Sequence, residues 1–98
     1  MNYDDWMKYP IEFRNWLRQP QNRRIYSEFE KKAKQMGQVR KHYSARAIIH
    51  VIRWETELRE ADVLFKVNNN WTPWLARLFM ERNPEYEDFF ETRVVRAA

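Results

Sequence analysis

The chain has 98 residues, 44% apolar and 33% charged, with a formal net charge of +4, no cysteine and one glycine. A chain of this length holds one core, so residues 1–98 are read as a single domain. Without cysteine there are no disulfides, thiolate-bound zinc or thiol nucleophiles, and one glycine cannot build a phosphate-cradling loop.

Around Pro10 the apolar residues Trp6, Tyr9, Phe13, Trp16 and Leu17 recur at helical spacing. Proline suits a first helical turn, where its missing N–H has no partner to lose. The first helix is therefore predicted over about Pro10 to Arg18, ended by Pro20. Asn22 is a good cap for a second helix, whose stripe is Ile25, Tyr26, Phe29, Ala33 and Met36. Gly37 follows where a left-handed C-cap belongs. Gln38 to Tyr43 alternates as a short strand does and is a candidate partner for the β-rich run Val63 to Val67.

Ser44 caps a third helix, predicted from Ala45 to about Leu58. Ala45, Ile48, Ile49 and Ile52 form one apolar side, and Ala47, Val51, Trp54 and Leu58 form a second. Arg46, His50, Arg53 and Glu57 are left as its polar stripe. That pattern predicts a central helix buried on two sides. The asparagines 68–70 suit a turn. Thr72 and Pro73 then open a fourth helix, with Trp74, Leu75, Leu78, Phe79 and Arg82 facing inward. Asn83 and Pro84 open a last helix, buried through Tyr86, Phe89, Phe90 and Val94. Glu85, Glu87 and Asp88 in its first turns complement the helix dipole. The expected fold is mainly α: a compact domain of four to five helices, with at most a short pairing of 39–43 with 63–67. The nearest layouts are helix-turn-helix or winged-helix-like.

Catalytic constellations are poor. His42 and His50 are the only histidines and have no third ligand at a metal spacing. Asp62 and Lys66 resemble part of a metal-dependent nuclease strand, but Leu64 stands where the second carboxylate belongs. No catalytic residue, metal site or cofactor is assigned, and a non-enzymatic protein is expected.

Charge is the stronger signal. Residues 21–53 carry nine Lys/Arg against two acids, while residues 54–98 carry six against nine. The candidate nucleic-acid-binding residues are Arg40, Lys41, Arg46, His50 and Arg53, with Arg23, Arg24, Lys31 and Lys34 alongside. Lys32 belongs to the same run. A helix offering such a face meets phosphates with its cations and base edges with its N-terminal residues. The plain alternative is a set of solvated faces that keep a tryptophan-rich chain soluble. Trp71 and Trp74 are suited to stacking on bases, but at a helix start they are better read as core.

The segments Tyr43-Ser44-Ala45-Arg46-Ala47-Ile48-Ile49, Arg53-Trp54-Glu55, Phe65-Lys66-Val67-Asn68-Asn69-Asn70, Ala76-Arg77-Leu78-Phe79-Met80 and Phe89-Phe90-Glu91-Thr92-Arg93 resemble small bacteriophage and prophage proteins with no established activity. The resemblance spans roughly residues 25–93 and carries no mechanism. It implies a bacterial or phage setting, where small DNA-binding proteins and inhibitors of host proteins both occur. The partner expected first is nucleic acid, DNA foremost; the alternative is a host protein or self-association, with monomer and homodimer both open. No apolar run exceeds three residues, so no membrane span is expected. The start Met1-Asn2-Tyr3-Asp4-Asp5-Trp6 lacks a signal-peptide pattern, which leads to a cytoplasmic expectation.

Overall fold

Pro10 starts the first helix, α1 (Ile11–Arg18), by accepting the Arg14 N–H on its carbonyl at 3.0 Å. The computed structural model describes residues 6–59 and 71–90, the side chains of 56–59 excepted. Gln19 is extended because the ring of Pro20 disfavours a helical residue before it. The same Gln19 is the N-cap position of α2 (Pro20–Gly37), so one residue separates the two helices.

Asn22 does not cap α2, contrary to the sequence expectation. Proline at the first position begins the helix two residues earlier. The Asn22 side-chain amide is then free to donate to the Trp16 carbonyl at 2.8 Å, and Arg23 donates to the Arg18 carbonyl at 3.1 Å. Both satisfy orphan carbonyls at the end of α1. The predicted stripe of α2 is largely buried: Tyr26, Phe29 and Ala33 are in the core, with Ile25 and Met36 packed against it.

Gly37 corrects a second expectation. No described residue has a positive φ, and Gly37 is the last residue of a right-handed helix. Its lack of a side chain serves a close approach instead. A Cβ there would lie 2.5 Å from Cε1 of Tyr86.

Among the described residues 38–43 form no strand. Tyr43 donates its N–H to the Phe89 carbonyl at 3.0 Å and forms an isolated parallel bridge with Phe90. Residues 63–67 lie outside the described residues. Ser44 does cap α3 (Ala45–Arg59), accepting the Ala47 N–H on its Oγ at 3.2 Å. Ile48, Ile49 and Ile52 are buried. The second apolar side is open at its described residues: Val51 and Trp54 are exposed and Ala47 is half-buried, while the Leu58 side chain lies outside the described residues. The described elements packed on α3 are α2 and α4, both against its isoleucine side.

The central role falls to α4 (Thr72–Arg82), in which Thr72, Leu75, Ala76, Leu78 and Phe79 are all buried. Thr72 is the first helical residue rather than the cap; the cap position falls on Trp71, which makes no side-chain capping hydrogen bond. Arg82 points outward, its guanidinium 5.4 Å from the centre of the Tyr26 ring. The expected last helix is only a 3-10 turn, Pro84–Tyr86, although Phe89 and Phe90 are buried as predicted. Val94 lies outside the described residues. Asn83 stands at the N-cap position of that turn but makes no side-chain capping bond; its amide N–H donates to the Phe79 carbonyl at 2.9 Å and to Glu30 Oε2 at 3.3 Å. Glu30 Oε2 also accepts from the Tyr26 hydroxyl at 3.0 Å.

Among the described residues the architecture is four helices and no strand, with two aromatic clusters at its ends. One joins Trp6, Tyr9, Phe13 and Trp16 to Trp71 and Trp74. The other gathers Phe29, Tyr86, Phe89 and Phe90 around Phe79.

Two outcomes follow for stability. Gly37→Ala gains about 1 kcal/mol of helix propensity, but displacing the Tyr86 ring costs about 1–3 kcal/mol. Urea denaturation should show net loss, and the same change made with Tyr86→Ala should become stabilising. Burial first, then the Glu30 carboxylate and its hydrogen bond, push the Tyr26 phenol well above its ordinary range. The unfolded phenol ionises near pH ~10 while the folded one keeps its proton, so stability falls as pH rises beyond ~10. In thermal melts Tyr26→Phe should flatten that fall, while losing about 1 kcal/mol at neutral pH with the hydrogen bond.

Candidate nucleic-acid interface

The predicted cations divide into three groups. Arg23 and Arg24 stand in the first turns of α2, both exposed, with Arg23 turned back onto the α1 carbonyl. Lys31 and Lys34 are exposed further along α2, and Lys34 Nζ lies 3.9 Å from Glu30 Oε1. Arg40 and Lys41 are exposed on the connection before α3, while Arg46 and His50 are exposed on α3 itself. Arg53 is half-buried on α3.

Between α2 and α3 the described ion pairs bring carboxylates next to the cations. Lys32 is the α2 cation that reaches α3, and its Nζ sits 2.9 Å from Glu55 Oε2 and 3.7 Å from Glu28 Oε2. Carboxylates from both helices thus neutralise the seam. Beside it lies a shallow groove of about 300 Å³ lined by Met36, Tyr43, Ile48 and Val51, with Lys32 and Glu55 at its rim.

The connection Gln38–Ser44 is held at both ends. Tyr86 packs on Gly37 at its start, and the Tyr43–Phe89 hydrogen bond closes its end. Between them His42 is paired through Nδ1 with the Asp88 carbonyl at 2.9 Å. Because a carbonyl only accepts, that contact places a proton on Nδ1. Arg40 and Lys41 are therefore carried on a short, anchored segment directly before the α3 N-terminus.

The first turn of α3 contains Arg46 and no acid; the first turns of α2 and α4 hold no acid either, while α1 carries Glu12 in its first turn. At α3 the cations Arg40 and Lys41 stand directly before that turn. A helix N-terminus bears about half a positive charge, so nearby cations are disfavoured by about 0.3–1 kcal/mol each at low salt. Among the described residues no ion pair offsets Arg40, Lys41 or Arg46.

Trp54 was missed as a site residue because its spacing matched an apolar side of α3. It is 64% exposed, the highest value among the five tryptophans. It stands four residues beyond His50 and eight beyond Arg46, so the three exposed side chains follow one line down the helix. That spacing was the available signal. Trp71 and Trp74 behave as expected of core: Trp71 packs 5.7 Å from Phe13 and Trp74 5.5 Å from Tyr9, centre to centre.

Among the described residues no group of His, Asp and Glu converges as metal ligands would, and no helix is long and apolar enough to cross a membrane. The Lys32–Glu55 pair is half-exposed, so Lys32→Met should cost at most about 1 kcal/mol in chemical denaturation. A double-mutant cycle with Glu55→Gln reads the coupling directly. Compared with protein-family models, curated proteins and solved structures, the chain matches none.

Proposed function

We propose that this protein binds nucleic acid without catalysis, engaging phosphates at the N-terminal end of α3. The observation that carries this reading is the concentration of Arg40, Lys41, Arg46 and His50 at a helix terminus that holds no acid. The dipole and the side chains there repel one another. An incoming phosphate relieves both, taking backbone N–H groups and guanidinium donors together. The anchored connection adds to this, since cations presented on a held segment lose less freedom on binding. The α2–α3 pair has two helices in sequence, as helix-turn-helix proteins do. Its seven-residue connection, Gln38–Ser44, is longer than the usual tight turn, so phosphate contact rather than major-groove docking is the core of the reading.

Arg23, Arg24, Lys31 and Lys34 have a lesser role in it. Arg23 and Lys34 already face a carbonyl and a carboxylate. Removing them should change affinity less than removing the α3 group.

A second reading, contact with an acidic host protein or a second copy of the chain, draws on the groove beside Val51. Sedimentation at low and high salt distinguishes self-association from nucleic-acid binding.

Fluorescence anisotropy with labelled duplex and single-stranded DNA at two salt concentrations tests the proposal. Binding should weaken with salt, log K falling by about 0.9 per duplex phosphate or about 0.7 per single-strand phosphate. Combined Arg40→Ala, Lys41→Ala and Arg46→Ala should weaken it about tenfold or more and flatten the salt slope by about 2–3, with cooperative melting retained. Absence of binding to either nucleic acid at low salt overturns the proposal.

A further inference from the structure

Of the five tryptophans only Trp54 is exposed; the other four are half-buried, and each packs in the aromatic cluster of α1 and α4. Its neighbours on the solvent face of α3 are His50, one turn away, and Arg46, two turns away. Side chains one turn apart have Cβ atoms about 5–6 Å from one another. The face therefore presents guanidinium, imidazole and indole in sequence, starting from the acid-free helix terminus. Val51, 44% exposed, and half-buried Ala47 flank it.

We infer that this face of α3 binds a single strand of nucleic acid, with Trp54 stacking on a base and Arg46 and His50 following the backbone. The inference rests on the nucleic-acid reading above and selects the strand class. An indole has one donor and no acceptor, so it reads groove edges poorly. Its flat face is suited to a base face. In a duplex the base faces are already stacked, and exposing one costs a few kcal/mol. In a single strand they are open, and an aromatic platform gains about 1–3 kcal/mol per stacked base whatever the sequence.

Charge complementarity favours this occupant over an apolar protein surface. The exposed apolar groups on the face are Trp54 and Val51. They cover much less than the ~800 Å² per partner of a stable protein interface. The line leading to them starts from the Arg46 guanidinium, close in sequence to Arg40 and Lys41, and holds no carboxylate.

The test uses the full chain with a labelled oligothymidine of about 16 nucleotides and a mixed-sequence duplex of the same length, at low salt. Oligothymidine should bind at least about tenfold tighter than the duplex. Trp54→Ala should weaken oligothymidine binding by ~5- to 150-fold, leaving the salt slope unchanged. Trp54→Phe should retain most of the affinity, and both variants should melt cooperatively because the side chain is exposed. Equal binding by wild type and Trp54→Ala, or tighter binding of the duplex, overturns the stacking inference. The broader reading survives that result if the Arg40, Lys41 and Arg46 variant still loses affinity. If neither nucleic acid binds, both fall. A dimer seen by sedimentation that Trp54→Ala dissociates, with nucleic-acid binding unaltered, would assign the indole to a second copy and overturn the inference as well.

Discussion

Phe79 is the residue on which the other parts of the described structure converge. Its ring is fully buried and lies 6.5 Å from Phe29, 5.5 Å from Phe90, 6.3 Å from Phe89 and 5.3 Å from Tyr86, centre to centre. Aromatic pairs of this kind contribute about 0.5–1.5 kcal/mol each beyond their buried area. The Phe79 carbonyl accepts from both the backbone and the side chain of Asn83. One residue of α4 thereby joins α2, the 3-10 turn and the segment after it.

This packing reaches the candidate site through three contacts. Holding Tyr86 in place seats its ring on Gly37, at the end of α2. Holding Phe89 and Phe90 gives Tyr43 its bridge and His42 its carbonyl partner at Asp88. The connection that carries Arg40 and Lys41 is consequently pinned to the aromatic core at three positions. Its cations are surface groups on an exposed segment whose ends are fastened to the aromatic cluster around Phe79. A small protein with little binding surface benefits from such anchoring, because less freedom is lost when a partner docks.

Counting charges along the chain overstated the basic region. Nine Lys/Arg between residues 21 and 53 suggested one broad face. The fold turns Lys32 towards Glu55, Lys34 towards Glu30 and Arg23 towards a carbonyl. Among the described residues Arg24 and Lys31 on α2 and Arg40, Lys41 and Arg46 before and on α3 are exposed and in no ion pair. Glu30 shows how such partners arise. It lies within the same helix as the lysines, yet its carboxylate also serves Tyr26 and the buried amide of Asn83, which arrives from the far end of α4.

Local chemistry determined most of the helical framework. Pro10, Pro20 and Pro73 mark helix starts because of their fixed φ and missing N–H, and Ser44 caps α3 because its hydroxyl reaches one N–H three residues on. The stripes Tyr26–Phe29–Ala33 and Ile48–Ile49–Ile52 were legible because helical periodicity depends only on near neighbours in the chain. Tertiary structure decided the remainder. Asn22 and Asn83 have the right side chains for caps, but neither caps: Pro20 starts α2 ahead of Asn22, and both amides donate instead to groups the packed helices present, Trp16, Glu30 and Phe79. Gly37 answers to a ring 49 residues away, which no local pattern records. Among the described residues the isoleucine side of α3 is the covered one, with α2 and α4 packed on the helix, while Val51 and Trp54 on the second side are exposed. A sequence reveals that a helix side is apolar; whether another element lies against it is a matter of where the other helices go. That difference turned Trp54 from a predicted core residue into the most exposed tryptophan of the chain.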